Sequence, residues 1–527
     1  MSKQTREDIN QADETRLNQL GYRQELRREL TTFTNYGIAL SIVCICSGLT
    51  SLFYYGLTTG GPVVMTWGWV VVSFFTAIVG LAMAEICSAY PTSGGLYFWS
   101  ARLTPPHLKP FASWMTGWFN LVGQFAVTAG IDFGLALMVG ATISVGTNFA
   151  FTPTPGIIIV IHIAICISHG LANSLGPKMM RAITWLSMKA PTRQPASFVF
   201  GDYENATGWT SNGYVILIAL LQAQYTLTGY DASAHMTEET RNAQIAGPVG
   251  MILAILVSAI TGFIFIIGFL FCIQDLPTTI NTSTGFPVTQ IMVDCVGNSG
   301  AIGLMIVAMG ACWFCGFASV TANSRMIYAF SRDGAIPGSK LWHTINHKLD
   351  TPLNAVWLAV TVAACLALPY LGNTTAYSAV TSIATIGLYL SYGAPILCKL
   401  LYPARFKAGP FHLGRLSPII GWTGVIWILF ITILFVLPEL NPVTPANMNY
   451  AIVAVGAVIF GASGSWFLWA RKWFKGPVIN LTAEELAQIQ LDTDPTIVAG
   501  EFRSNEKIST QEYSFRPHEA LGKSNDI

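Results

Sequence analysis

Charge is what this sequence has least of. Asp, Glu, Lys and Arg make up 10% of its 527 residues, against roughly 25% in an ordinary soluble domain. The signs nearly cancel, 28 basic against 27 acidic, for a net charge of +1. That leaves no electrostatic footprint for a nucleic acid or an acidic partner. No cleavable signal peptide is visible, since the first 30 residues are polar and charged. There is no HExxH pair, no phosphate-binding loop, and no nucleophile and base at a shared depth, so an enzyme is not expected. A repeated filter sequence of the channel kind is missing too. What the chain does have is 52% hydrophobic residues and 48 glycines. Together they indicate an all-α polytopic membrane protein.

The ten cysteines lie mostly in apolar runs, for example Cys44, Cys46, Cys166 and Cys365, where thiols act as small hydrophobes. Cys312 and Cys315 form a CxxC, but no further ligands suggest themselves in sequence, and no metal site or cofactor is expected. Cys272 and Cys295 fall near the predicted outer face, which leaves a disulfide between them open.

Apolar spans run at about 35–58, 64–84, 111–142, 153–173, 213–237, 246–273, 301–330, 353–371, 376–399, 418–438 and 449–471. Each is near or above the roughly 20 residues a membrane helix needs. Residues 1–30 and 476–527 read as polar tails around a transmembrane domain over 31–475, the second tail largely disordered. Lys and Arg collect in alternate loops, which puts both termini in the cytoplasm. Sequons at Asn205, Asn281 and Asn373 fall in or beside the outer loops. Two cytoplasmic termini require an even number of spans, yet eleven are found. The shortfall localises to 174–212. There Lys178 and Arg181 read as inside and Asn205 as outside, with only ITWLSM, 183–188, as apolar material between them. A crossing helix is expected to be missing.

Two spans are interrupted. The fifth carries Thr228, Gly229, Tyr230, Asp231, Ser233 and His235 at mid-bilayer depth. Backbone leaving a helix there must be satisfied by protein, water or ligand, and an intramembrane acid is a functional-site hypothesis by default. The first carries Gly48, Leu49, Thr50 and Ser51 mid-span. Either it breaks there and exposes amides to a carboxylate, or its small residues serve close helix packing.

The segment AEICSAYPTSGGLYFWSARL, 84–103, contains Glu85, Pro91, Gly94, Gly95, Tyr97 and Trp99. With TGYDASAHMTEET at 228–240, SRDGAIPGSKLW at 331–342, TPLNAVW at 351–357 and GPFHLGRLSPIIGW at 409–422, it resembles the amino acid–polyamine–organocation superfamily. The branch it looks like is the fungal amino acid/choline transporters, with γ-aminobutyrate, choline and amino-acid permeases. The resemblance covers roughly residues 20–480. It implies a leucine-transporter-like fold: two inverted five-helix repeats plus two helices, the first and sixth helices unwound around a midplane site. Here these would be 35–58 and 213–237, and the fifth helix would be the missing one.

The implied function is import of an amino acid or related amine such as γ-aminobutyrate across the plasma membrane by alternating access, with protons as the expected coupling ion and lipid as surroundings. The alternatives are a choline or polyamine permease, and a non-transporting sensor or inactive isoform. The substrate amine is expected against carbonyls at Thr228–Asp231, and a carboxylate against amides at Gly48–Ser51. Tyr54, Tyr230 and Trp313 would cover it; for Trp313 and Phe314 plain packing is the other reading. Asp231 reads as a proton or cation site or as the group holding the break. Asp132 reads as a second intramembrane acid that lines the pathway or only packs. Glu238 and Glu239 read as gate or salt-bridge residues, Glu85 as a loop-fixing group rather than a substrate ligand, and His235 as a structural hydrogen-bonder; Asp132, Asp231, Glu85 and Glu238 are the coupling or gating candidates.

Overall fold

In a computed structural model the structure describes residues 3–173, 192–346, 348–372 and 376–478. The chain divides into two compact units, residues 1–10 with 25–478, and residues 11–24 with 479–527. Within the second, the described residues carry the end of a polar helix, Lys3–Gln19. The first contains every span. Its described residues form helices and isolated bridges only.

The helices of the spans are α1 Thr32–Ile42, α2 Ile45–Ser51, α3 Phe53–Thr58, α4 Gly61–Ala89, α5 Lys109–Gly146, α6 Pro155–Asn173, α7 Asn212–Ala219, α8 Leu221–Thr226, α9 Ala232–His235, α10 Ala243–Cys272, α11 Pro287–Arg332, α12 Leu353–Ala367, α13 Ala376–Leu401, α14 Ser417–Leu434 and α15 Ala451–Leu468. Among the described residues, ten helices are long and apolar enough to cross a membrane. The eleventh span is α7–α9, divided into pieces too short to qualify singly. α10, α14 and α15 expose Ile260, Ile264, Ile426, Ile433 and Phe460, an apolar outer surface that a bilayer covers.

The spans of the first half pair, one by one, with those of the second half, and each pair is antiparallel. Gly229 faces Ile42, Gly48 faces Thr226 and Gly56 faces Gln222, so α1–α3 run against α7–α9. Gly247 faces Cys87, Gly80 faces Ile255 and Gly262 faces Trp69, so α4 runs against α10. Gly117 packs on Phe330, Thr128 bonds Ser319 at 2.8 Å and Thr142 reaches Met309, so α5 runs against α11. His162 bonds the Ala363 carbonyl at 3.3 Å and Gly170 faces Trp357, so α6 runs against α12. Four antiparallel pairs in the same order are what an inverted repeat produces. Glycine is abundant because many of these crossings leave no room for a Cβ: one on Gly262 would sit 2.1 Å from the Trp69 ring.

The expected loss of a fifth helix localises to 174–212, of which 174–191 lie outside the described residues. Its flanks are informative. α6 ends beside the start of α12, at the end of the bundle that carries Arg332. Gln194 bonds the Phe271 and Ile273 carbonyls at the opposite end, where α10 stops. The short helix Ala196–Gly201 packs there, with Thr66 donating to the Val199 carbonyl at 3.1 Å. Cys272 and Cys295 are free thiols at that end, the Cys295 thiol reaching the Cys272 carbonyl at 3.5 Å.

Candidate functional site

The first interruption lies at Val43–Cys44, one turn before Gly48. Successive β-branched residues, Ile42 and Val43, weaken the helix, and the Cys44 thiol caps the next one by accepting from the Ser47 amide at 3.5 Å. The Gly48 amide bonds the Cys44 carbonyl at 3.0 Å, and Leu49, Thr50 and Ser51 continue α2. The amides of Gly48–Ser51 are therefore spent inside a helix, and those that open its first turn are Ile45 and Cys46. The carbonyls released by the break are taken from the side. Cys315 donates to Ile42 at 3.5 Å, and Ser258 donates to Val43 at 3.3 Å.

The second interruption lies at Leu227–Asp231. Gly229 has φ 90°, a conformation glycine adopts without steric cost. A side chain there would also strike Ile42, 2.4 Å from the built Cβ, so glycine lets the two breaks touch. Among the described residues, the carbonyls of Leu227 and Thr228 accept no backbone hydrogen bond. Asp231 is fully buried beside them. Its Oδ1 accepts from the Tyr392 hydroxyl at 2.7 Å, and its Oδ2 from Gln124 at 2.9 Å and Asn120 at 3.1 Å. His235 Nε2 lies 3.3 Å from Oδ2, and its Nδ1 is 3.0 Å from the Ser93 carbonyl. One carboxylate thus ties the second break to α5, α13 and the turn after α4. Tyr230 packs on Tyr392 at 5.1 Å between ring centroids.

Asp132 makes a separate centre on another face of α5. Its Oδ1 is 3.1 Å from His169 Nδ1, and the Cys166 thiol donates to Oδ2 at 3.3 Å. His162 Nε2 lies 3.6 Å from that thiol. Gly316 of α11 closes the centre: a Cβ there would fall 2.3 Å from Asp132 Oδ1. Trp313 belongs to this side. It donates to Ser168 at 3.0 Å and packs on His169 and Phe317, so it faces α6 rather than the breaks. Tyr54 is half exposed on the outside of α3.

At the end carrying Arg332, the second broken span closes against the bundle. Glu238 accepts from the Ser93 amide at 3.1 Å and from Arg332 at 3.2 Å. Burial opposes its charge, but the Arg332 guanidinium and the hydrogen bonds from Arg332 and Ser93 hold its carboxyl below the usual glutamate range. Glu239 pairs with Arg325 at 2.7 Å. Leu30 bridges Thr240, with bonds to the Glu239 carbonyl and from the Arg241 amide at 2.9 and 3.0 Å. Glu85 bonds Lys399, the Ser417 hydroxyl at 2.7 Å and the Leu413 amide at 3.2 Å, fixing the 409–413 loop.

The amino acid permease profile matches residues 30–459, both broken spans included. The chain belongs to this family. It is 46% identical to an amino-acid permease BAT1 homolog of Oryza sativa subsp. japonica over 504 residues, 88% of this chain and 95% of that one. It is 42% identical to the amino-acid permease BAT1 of Arabidopsis thaliana over 500 residues, 89% and 96% of the two chains. A GABA-specific permease of Saccharomyces cerevisiae is 31% identical over 513 residues, 92% and 90%. The rice alignment draws on only 88% of a 527-residue chain, about 464 residues, so about 40 of its 504 positions carry no residue here.

Of the residues expected at the site, the breaks bring together Gly48, Thr228, Gly229, Tyr230 and Asp231. Asp132, Glu85, Glu238 and Trp313 stand in three other places. Asn120, Gln124 and Tyr392 escaped the sequence reading. A signal existed for the first two, because amides four residues apart share one face of a helix.

Proposed function

We propose that this permease imports an amino acid or a related amine such as γ-aminobutyrate across the plasma membrane by alternating access, and that it is a transporter rather than an enzyme. The end carrying Arg332 and Lys399 is taken as cytoplasmic, in accord with the positive-inside rule. The observation that carries the reading is the meeting of two antiparallel broken spans in mid-bundle, with the carbonyls of Leu227 and Thr228, which accept no backbone hydrogen bond among the described residues, beside buried Asp231. Such carbonyls suit a substrate ammonium, and the first-turn amides of α2 suit its carboxylate. Protons are the proposed coupling ion, with Asp231–His235 and Asp132–His169 as the two candidate carriers. Glu238–Arg332 and Glu239–Arg325 act as the inner gate.

The test is an uptake screen in permease-deficient cells over γ-aminobutyrate, neutral and basic amino acids, choline and polyamines at two external pH values. A version lengthened between Arg181 and Tyr203 with the relative's residues runs beside it. Uptake of an amino acid, faster at acid pH, is expected. No uptake by the lengthened version overturns the transporter reading. Binding without uptake by the present chain alone marks it as a non-transporting form.

A further inference from the structure

Four thiols that lie far apart in the sequence converge on the first break. Cys44 and Cys46 flank the restart of α2; Cys312 and Cys315 are one turn apart on α11. α2 packs on α11, which sets the two pairs on facing elements. The Cys315 thiol donates to the Ile42 carbonyl and the Cys46 thiol reaches the Ala308 carbonyl. The sequence showed a CxxC with nothing opposite it; the fold supplies the opposite pair. Among the described residues no group of three or more His, Cys, Asp or Glu is arranged to hold a metal ion. The cluster's chemistry is then that of paired thiols.

We propose that this cluster is an oxidation site, at which a disulfide between Cys44 or Cys46 and Cys312 or Cys315 joins the broken first span to α11 and arrests transport. The last clause rests on the alternating-access reading; the bond does not. A disulfide brings two sulfurs to about 2.05 Å with Cβ atoms about 3.5–4.5 Å apart, and the contacts of Cys315 with Ile42 and of Cys46 with Ala308 hold the two cysteine-bearing elements against each other. The non-helical backbone of Val43 and Cys44, φ −74° with ψ 54° and φ −77° with ψ 105°, supplies the freedom. The oxidant is a peroxide. One thiolate attacks it to give a sulfenic acid with loss of one water or hydroxide. The second thiol attacks that sulfur, the S–S bond forms, and the oxygen leaves as water. Two thiols lose two electrons and two protons, and the peroxide becomes two waters.

The bond would cross the boundary that alternating access must shear. α1–α3 belong to the pair of broken spans, whereas α11 packs in the α5–α11 pair. It would also take the Cys315 hydrogen from the Ile42 carbonyl, leaving that carbonyl to be satisfied by rearrangement of the break.

The experiment uses the full chain in reconstituted vesicles, treated with hydrogen peroxide and then with a reductant. Peptide mass spectrometry after alkylation is expected to find a peptide containing Cys44 or Cys46 linked to one containing Cys312 or Cys315. Uptake of the amino acid found in the screen should fall at least tenfold and return on reduction. Cys312→Ser/Cys315→Ala, and separately Cys312→Ala/Cys315→Ser, should transport without the peroxide effect; agreement between them guards against one variant failing to fold. No linked peptide in the wild-type chain overturns the site. A linked peptide with uptake unchanged overturns the arrest and leaves the site. Linkage in a chain that transports nothing even when reduced marks failure of the transporter reading instead.

Discussion

Asp231 and Asp132 are both fully buried, and among the described residues neither pairs with a Lys or Arg. They lie at different levels: Asp231 bonds Asn120 and Gln124 of α5, and Asp132 is eight residues beyond Gln124, about 12 Å further along that helix. Their surroundings differ. Asp231 sits in a break and takes hydrogen bonds from two amides, a phenol and one imidazole. Asp132 sits in a continuous helix and meets an imidazole and a thiol, with a second imidazole behind the thiol. Neutral donors can hold a charged carboxylate without a counter-ion when they are numerous and aimed. An imidazole beside a carboxylate can instead trade a proton with it at little net charge. Each acid faces an imidazole, but among the described residues only Asp231 has three neutral donors besides, which fits a group that holds a shape, while Asp132 lacks them and fits a group that changes state.

Removing Asp231 should cost most. Asp231→Ala strands Tyr392, Gln124, Asn120 and His235 around an empty place, with a loss of about 3–5 kcal/mol, as when one partner leaves a buried charged pair. Uptake should fall below detection and thermal unfolding in detergent should occur at a markedly lower temperature. Normal uptake by a stable variant would end the claim that this carboxylate organises the break. Gly316→Ala probes the other acid. The new methyl would overlap Asp132 and the His169 ring, at about 1–3 kcal/mol for overpacking. An unchanged unfolding temperature would mean that the Asp132 centre is looser than its distances indicate.

Asp132→Asn separates holding from switching. If Asp132 carries a proton, uptake should drop about tenfold, about 1.4 kcal/mol, and lose its dependence on external pH. Asp231→Asn should lower uptake while leaving the shape of the pH profile intact. The reverse pattern would exchange the two assignments.

Much of this was legible in the sequence. The ten full-length spans, the second break and the acid within it follow from hydropathy and from a glycine among polar groups. The first break was displaced by a turn, because Gly48 attracted the reading while the thiol cap at Cys44 did not look like a cap. Trp313 stays open in sequence between a place beside substrate and plain helix packing, and its direction on α11 depends on how that helix turns against α6. His235 is a local partner of Asp231, four residues on, but Asn120, Gln124 and Tyr392 come from helices more than 100 residues away on either side, and no local pattern joins them to it. Glu238 reads as a gate or salt-bridge residue, and it does form a salt bridge, but its cation Arg332 was not legible, since Arg241 stood nearer in sequence.

The smallest effect separates the two ends of the bundle by pH. Glu238 has a lowered carboxyl, so the stability it gives is present above the ordinary glutamate value, about 4.3, and is lost only as pH falls through its own lower value. Glu439, in the loop after α14, is the opposite case. Its Oε1 is buried without a partner, and burial pushes its carboxyl up to about 7. A raised carboxyl favours the folded loop while protonated, and that advantage is lost as pH rises from the ordinary value through about 7. The Tyr214 hydroxyl bonds the Pro438 carbonyl beside it at 2.5 Å, so loosening there reaches the start of α7. Between pH 5 and 8, hydrogen exchange corrected for its intrinsic pH dependence should rise over 435–450 and stay level over 237–241. Glu439→Gln should abolish the rise, because an amide has no proton to lose. A rise of equal size in that variant would show that another group loosens the loop, and a rise over 237–241 would show that Arg332 does not hold Glu238 charged.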